Sequence, residues 1–146
     1  MPVPMSTRFT KLNDDWNAEP NAPAPVAARS GNDVVLEFLL NPSQFKQFSY
    51  GDRGRLVFRN CWRYRLGGTN DEGWYLGQCR FSKIAPAWGE FYEVHGDLKL
   101  ESSPDDWVVL GPELHASAKH FLFYLRDETF ECDAERVDPL ALLPAR

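Results

Sequence analysis

Cysteine is scarce in this chain: Cys61, Cys79 and Cys132 are its only three. They cannot all pair with one another, and no two stand at C-x-x-C spacing. They read as small buried hydrophobes in a reducing compartment, not as a disulfide framework or metal set. No stretch approaches the ~20 apolar residues of a membrane-spanning helix, so no membrane partner is expected. The segment Met1–Arg8 has no apolar core of a secretory signal, which makes the cytoplasm the expected location. Catalytic signatures are missing as well. No serine sits in a G-x-S-x-G context, and Gly67-Gly68 lacks the following GK[ST] of a phosphate loop. The adjacent acids Asp14-Asp15, Asp71-Glu72 and Asp105-Asp106 point apart on a strand, or serve turns and helix starts. General acid–base work needs two acids converging in a cleft. The expectation is a non-enzymatic protein without a cofactor.

Histidine is limited to His95, His115 and His120. His95 shares a strand face with Glu93, so a metal set of His95, Glu93 and His120, with Cys132, is conceivable only if their strands adjoin. Structural or surface histidines are the simpler reading.

Aromatics, by contrast, are plentiful. Ten Phe, five Tyr and five Trp in 146 residues favour pleated, half-buried surfaces. Eleven Pro and ten Gly favour loops over long helices. The expected fold is mainly β: a single antiparallel domain of six or seven strands with one or two short helices, shaped as a curved sheet, half-barrel or sandwich. Residues 1–32 look irregular, a Pro/Ala-rich tail or strap in which Trp16 favours a docked strap. Residues 33–146 form the β-rich domain.

Strands are expected at 34–40, 55–66, 74–81 and 88–95, with a hairpin of 120–125 and 129–133. Short helices are expected at Pro42–Phe48, after an Asn41 cap, and from Ser103 through Leu110, although Val108-Val109 could instead make a strand. The longest strand, Arg55–Leu66, separates at period two. Leu56, Phe58, Asn60, Trp62, Tyr64 and Leu66 lie on one face; Val57, Arg59, Cys61, Arg63 and Arg65 lie on the other. Its length predicts a bulge, placed near Asn60 and Cys61 because Asn60 is the polar intruder on the apolar face.

The net charge of −5 is unevenly spread: −2 over residues 1–40, +5 over 41–89 and −8 over 90–146. Two readings compete for Arg59, Arg63 and Arg65. They could meet RNA or single-stranded nucleic acid with Trp62 and Tyr64. Alternation separates those aromatics from the arginines, and Glu37, Glu90, Glu93, Glu128 and Glu131 are available as cross-strand partners, most of them in the acidic last third. Internal pairing is therefore preferred to nucleic acid. A second cluster, Asn70, Asp71, Trp74, Tyr75 and Trp88, could anchor an interface or line a cleft. The overall expectation is a small binding protein whose partner is another protein or a second copy of itself. The alternatives are a small-molecule-binding barrel or cup, with or without weak enzymatic chemistry, and an RNA-binding arginine face.

Overall fold

The computed structural model of the chain describes residues 7–67, 87, 89–96, 107–111, 118–126 and 128–143. Among these residues nine strands form one antiparallel sheet that does not close into a barrel. They are β1 (Arg8–Lys11), β2 (Val26–Ser30), β3 (Asp33–Leu39), β4 (Arg53–Gly67), β5 (Phe91–His95), β6 (Val108–Val109), β7 (Lys119–Tyr124), β8 (Thr129–Val137) and β9 (Ala141–Leu143). The order across the sheet is β1-β5-β7-β8-β4-β3-β2. The axis is β4. One of its edges takes β3 and then β6; the other takes β9 and then β8.

The concave side of this sheet is filled with rings. Trp16 stacks on Phe38 at 5.6 Å, Phe38 meets Phe123 at 5.1 Å, and Phe58 meets Phe130 at 5.1 Å and Phe121 at 5.4 Å. Phe38 is on β3 and Phe123 on β7, three strand steps apart in the sheet order. A flat sheet would separate those strands by roughly 14 Å. Ring contact across that span requires the sheet to curl, and Trp16, only 6% exposed, plugs the hollow. Among the described residues the interior is therefore packed with aromatic rings. Cys61 and Cys132 belong to it as buried free thiols. The Cys61 thiol donates to the Arg63 carbonyl at 3.2 Å.

The predicted bulge is present. Pairing of β4 with β8 slips by one residue between Cys61 and Arg63. Next to it Asn60 has φ +49°, the left-handed region that Asn tolerates better than most residues. Neighbours hold this kink: Asp33 Oδ1 accepts the Asn60 amide at 3.0 Å, and the Asn32 carbonyl accepts the Cys61 amide at 2.7 Å. Leu56, Phe58, Tyr64 and Leu66 face the core as alternation requires. Cys61 joins them across from Ala134, contrary to strict alternation, because the irregular backbone interrupts the period there.

Several expectations need correction. There is no helix among the described residues. After Leu40, Asn41 does cap, its Oδ1 accepting the Ser43 and Gln44 amides, but Pro42–Phe48 forms successive turns. Val108-Val109 is a strand on β4. The N-terminal stretch is not merely irregular: it supplies β1 and β2, and β2 turns directly into β3 through Gly31 at φ +62°. The C-terminal arm adds β9. The strand expected at 74–81 lies outside the described residues.

Candidate functional site

The half of β4 beyond the bulge carries a buried ionic chain. Register sets Arg63 opposite Asp133 and Arg65 opposite Glu131 on β8. It also sets His120 of β7 opposite Asp133. Arg63 Nε donates to Asp133 Oδ2 at 2.6 Å, and Arg65 Nη1 donates to Glu131 Oε2 at 3.1 Å. Between the acids lies His120, with Nδ1 2.8 Å from Asp133 Oδ1 and Nε2 2.8 Å from Glu131 Oε1. All five side chains are buried. The Trp107 ring covers the array, 3.9 Å from the Arg63 guanidinium carbon and 6.0 Å from that of Arg65.

Where both carboxylates are ionised they only accept, so both His120 nitrogens donate and the ring is an imidazolium. Burial works against that charge, but the hydrogen bonds to Asp133 and Glu131 outweigh it and raise the His120 pKa. Burial likewise opposes the Asp133 charge; His120 and Arg63 overcome it and hold this carboxyl below its ordinary range. The chemistry available here is cross-linking of β4, β7 and β8. These groups hold one another at short distance beneath an indole, an arrangement that suits fastening more than turnover.

The half of β4 before the bulge differs. On the convex side, cross-strand pairing builds three rows. Ala28, Val35 and Val57 form the first; Val26, Glu37, Arg55 and Ala141 the second; Leu39, Arg53 and Leu143 the third. Val35, Leu39 and Val57 are only half-buried, and Val26 is 57% exposed. Arg55 stands 3.6 Å from Glu37, while its Nε has no hydrogen-bond partner. Arg53 enters no ion pair among the described residues. Above the rows, Arg59 bridges Asp33 at 2.9 Å and Asp138 at 2.6 Å. Those two hydrogen bonds raise the Arg59 pKa. The Asp33 carboxyl is held low, chiefly by the Asn60 amide.

The three arginines singled out in the sequence thus all meet carboxylates. Arg59 remains partly exposed, whereas Arg63 and Arg65 are buried. Asn70, Asp71, Trp74, Tyr75 and Trp88 lie outside the described residues, as does Cys79. The conceivable metal set is not assembled. Pairing of β5 with β7 puts Val94 opposite His120, so Glu93 and His95 lie on the other face of the sheet. His95 instead meets Glu93 at 3.3 Å and Thr10 at 3.2 Å. No metal-binding cluster occurs among the described residues.

Trp62 does approach the basic side, with Arg63 5.1 Å from its ring, because the bulge interrupts alternation. Tyr64 stays with the core, 6.4 Å from Phe130. The stacking surface that an RNA reading needs is therefore divided between two faces. In the sequence Arg53 and Arg55 stand near the basic face of the long strand, but the outer rows they join were not read from it. They could have been found by extending the period-two reading of β4 back to Arg53. Comparison with protein-family models, curated proteins and solved structures finds no match to this chain.

Proposed function

We propose that the protein is a non-enzymatic binding protein that engages another protein through the convex face of β2, β3, β4 and β9. The supporting observation is the three-row lattice, where half-buried Val35, Leu39 and Val57 surround Arg53 and Arg55. An apolar centre beside Arg53, which enters no ion pair among the described residues, and Arg55, held 3.6 Å from Glu37, is the composition of an interface hot spot. The partner chemistry that fits is a protein surface presenting carboxylates around an apolar patch. On a chain of net charge −5, a local arginine pair gives such a partner its orientation.

Affinity capture from the source-cell lysate tests this reading, comparing the unaltered protein with Arg53→Glu and Val57→Asp. The expected result is a discrete partner that both substitutions release while circular dichroism stays unchanged. Equal retention by all three proteins would contradict the assignment. A second copy of the chain is the alternative occupant, and light scattering of the purified protein separates the two cases.

A further inference from the structure

The two cysteines of the core are neighbours. Cys61 stands opposite Ala134, and Cys132 stands opposite Tyr64. Cys132 and Ala134 share the core face of β8, so Cys61 and Cys132 face each other diagonally across β4 and β8. In a regular ladder that diagonal is too long for a disulfide. The bulge shortens it, because three residue steps on β4, from Cys61 to Tyr64, span only two on β8, from Ala134 to Cys132.

The thiols are in contact. Cys61 directs its proton to the Arg63 carbonyl at 3.2 Å, which leaves its sulfur to accept from the Cys132 thiol. Both are free thiols. Cys132 is wholly buried, and burial together with the Cys61 sulfur pushes its thiol up. Cys61 is 5% exposed and adjoins the kinked Asn60, so local opening of the irregular segment reaches Cys61 first.

We propose that Cys61 and Cys132 are a redox-sensitive pair, closed to a disulfide by glutathione disulfide and reopened by glutathione. The Cys61 thiolate attacks one sulfur of glutathione disulfide. That breaks the glutathione S–S bond, forms a mixed disulfide on Cys61 and releases one glutathione thiolate. Cys132 then loses its proton to solvent and attacks the Cys61 sulfur, which expels the second glutathione thiolate. Two protein thiols are oxidised, glutathione disulfide is reduced to two glutathiones, and the protons lost by the cysteines equal those the glutathiones take up. Burial makes the exchange slow, with opening of the bulge setting its rate. The new bond ties β4 to β8 where the two halves of β4 meet. It lies on the core side, apart from the convex binding face, so either assignment can fail alone.

The test uses the full chain carrying Cys79→Ser, which removes the third thiol. The folded protein is equilibrated with millimolar glutathione disulfide at mildly alkaline pH and mapped by mass spectrometry after non-reducing digestion. The expected product has an intact mass lower by two hydrogens, and a linked peptide pair holding Cys61 and Cys132 that dithiothreitol separates. Its urea midpoint should lie above that of the reduced protein. In the same background Cys132→Ala should stop at one glutathione on Cys61, whereas Cys61→Ala should take up little or none. The mapping itself needs neither core substitution. Two free thiols after full equilibration would overturn the proposal. So would a link that forms only in urea, or glutathione held on Cys132 instead of Cys61.

Discussion

Asn60 shows how one residue sets the shape of a strand. Its backbone occupies the left-handed region, at φ +49°, in the middle of fifteen consecutive strand residues. A β-branched side chain there should cost ~1–2 kcal/mol, because Cβ crowds the following carbonyl. Asn60→Val is therefore expected to lower the urea midpoint, while Asn60→Gly, which frees the backbone but loses the side-chain bond to Glu135, should remain within about 0.5 kcal/mol of the parent. Equal midpoints for the two variants would contradict a backbone role. The sequence marked this position because a polar residue interrupts an apolar face. It did not mark Trp62, since a period-two pattern reveals that an extra residue is needed without identifying it.

At the level of elements, β4, β7 and β8 are held together by alternating charges. The regional charge tally pointed to pairing between the basic middle and the acidic last third, and Glu131 was one of five glutamates considered as partners. Asp133 and Asp138 were not, because partner identity depends on a register that the bulge shifts. This ionic chain makes stability depend on pH in a definite direction. The folded pKa of His120 is raised, so its contribution is full below the ordinary histidine value of ~6.5 and is lost as pH rises through the folded value. The folded pKa of Asp133 is lowered, so its contribution is present above the ordinary aspartate value and is lost as pH falls through the folded one. Urea unfolding of the parent should therefore show a decline above neutral pH that His120→Gln lacks. At pH 6 the substitution should cost ~3–5 kcal/mol, because Glu131 and Asp133 lose the cation between them. A pH profile identical in both proteins would contradict the imidazolium assignment.

The whole molecule is a curled sheet with unlike halves. Around β7 and β8 both faces are buried: Phe121, Phe123 and Phe130 on the core side, and His120, Leu122 and Tyr124 on the other. Around β2 and β3 the convex face stays half-open. Composition and alternation made the antiparallel β class legible, and Trp16 signalled docking of the N-terminal stretch. The curl was not legible, because it follows from which rings meet across nonadjacent strands. The two roles of β4, internal fastening beyond the bulge and free surface before it, were hidden for the same reason: the arginines are chemically alike, and only their neighbours distinguish them.

Comparing the urea midpoints of Arg63→Met and Arg53→Met tests that division directly. Removing Arg63 leaves buried Asp133 with only one of its two cationic partners, His120, and should cost about 3 kcal/mol. Removing Arg53 from the convex face should change stability by no more than about 0.5 kcal/mol. Similar losses for the two substitutions, or a tolerant Arg63 beside a sensitive Arg53, would contradict this account of the strand.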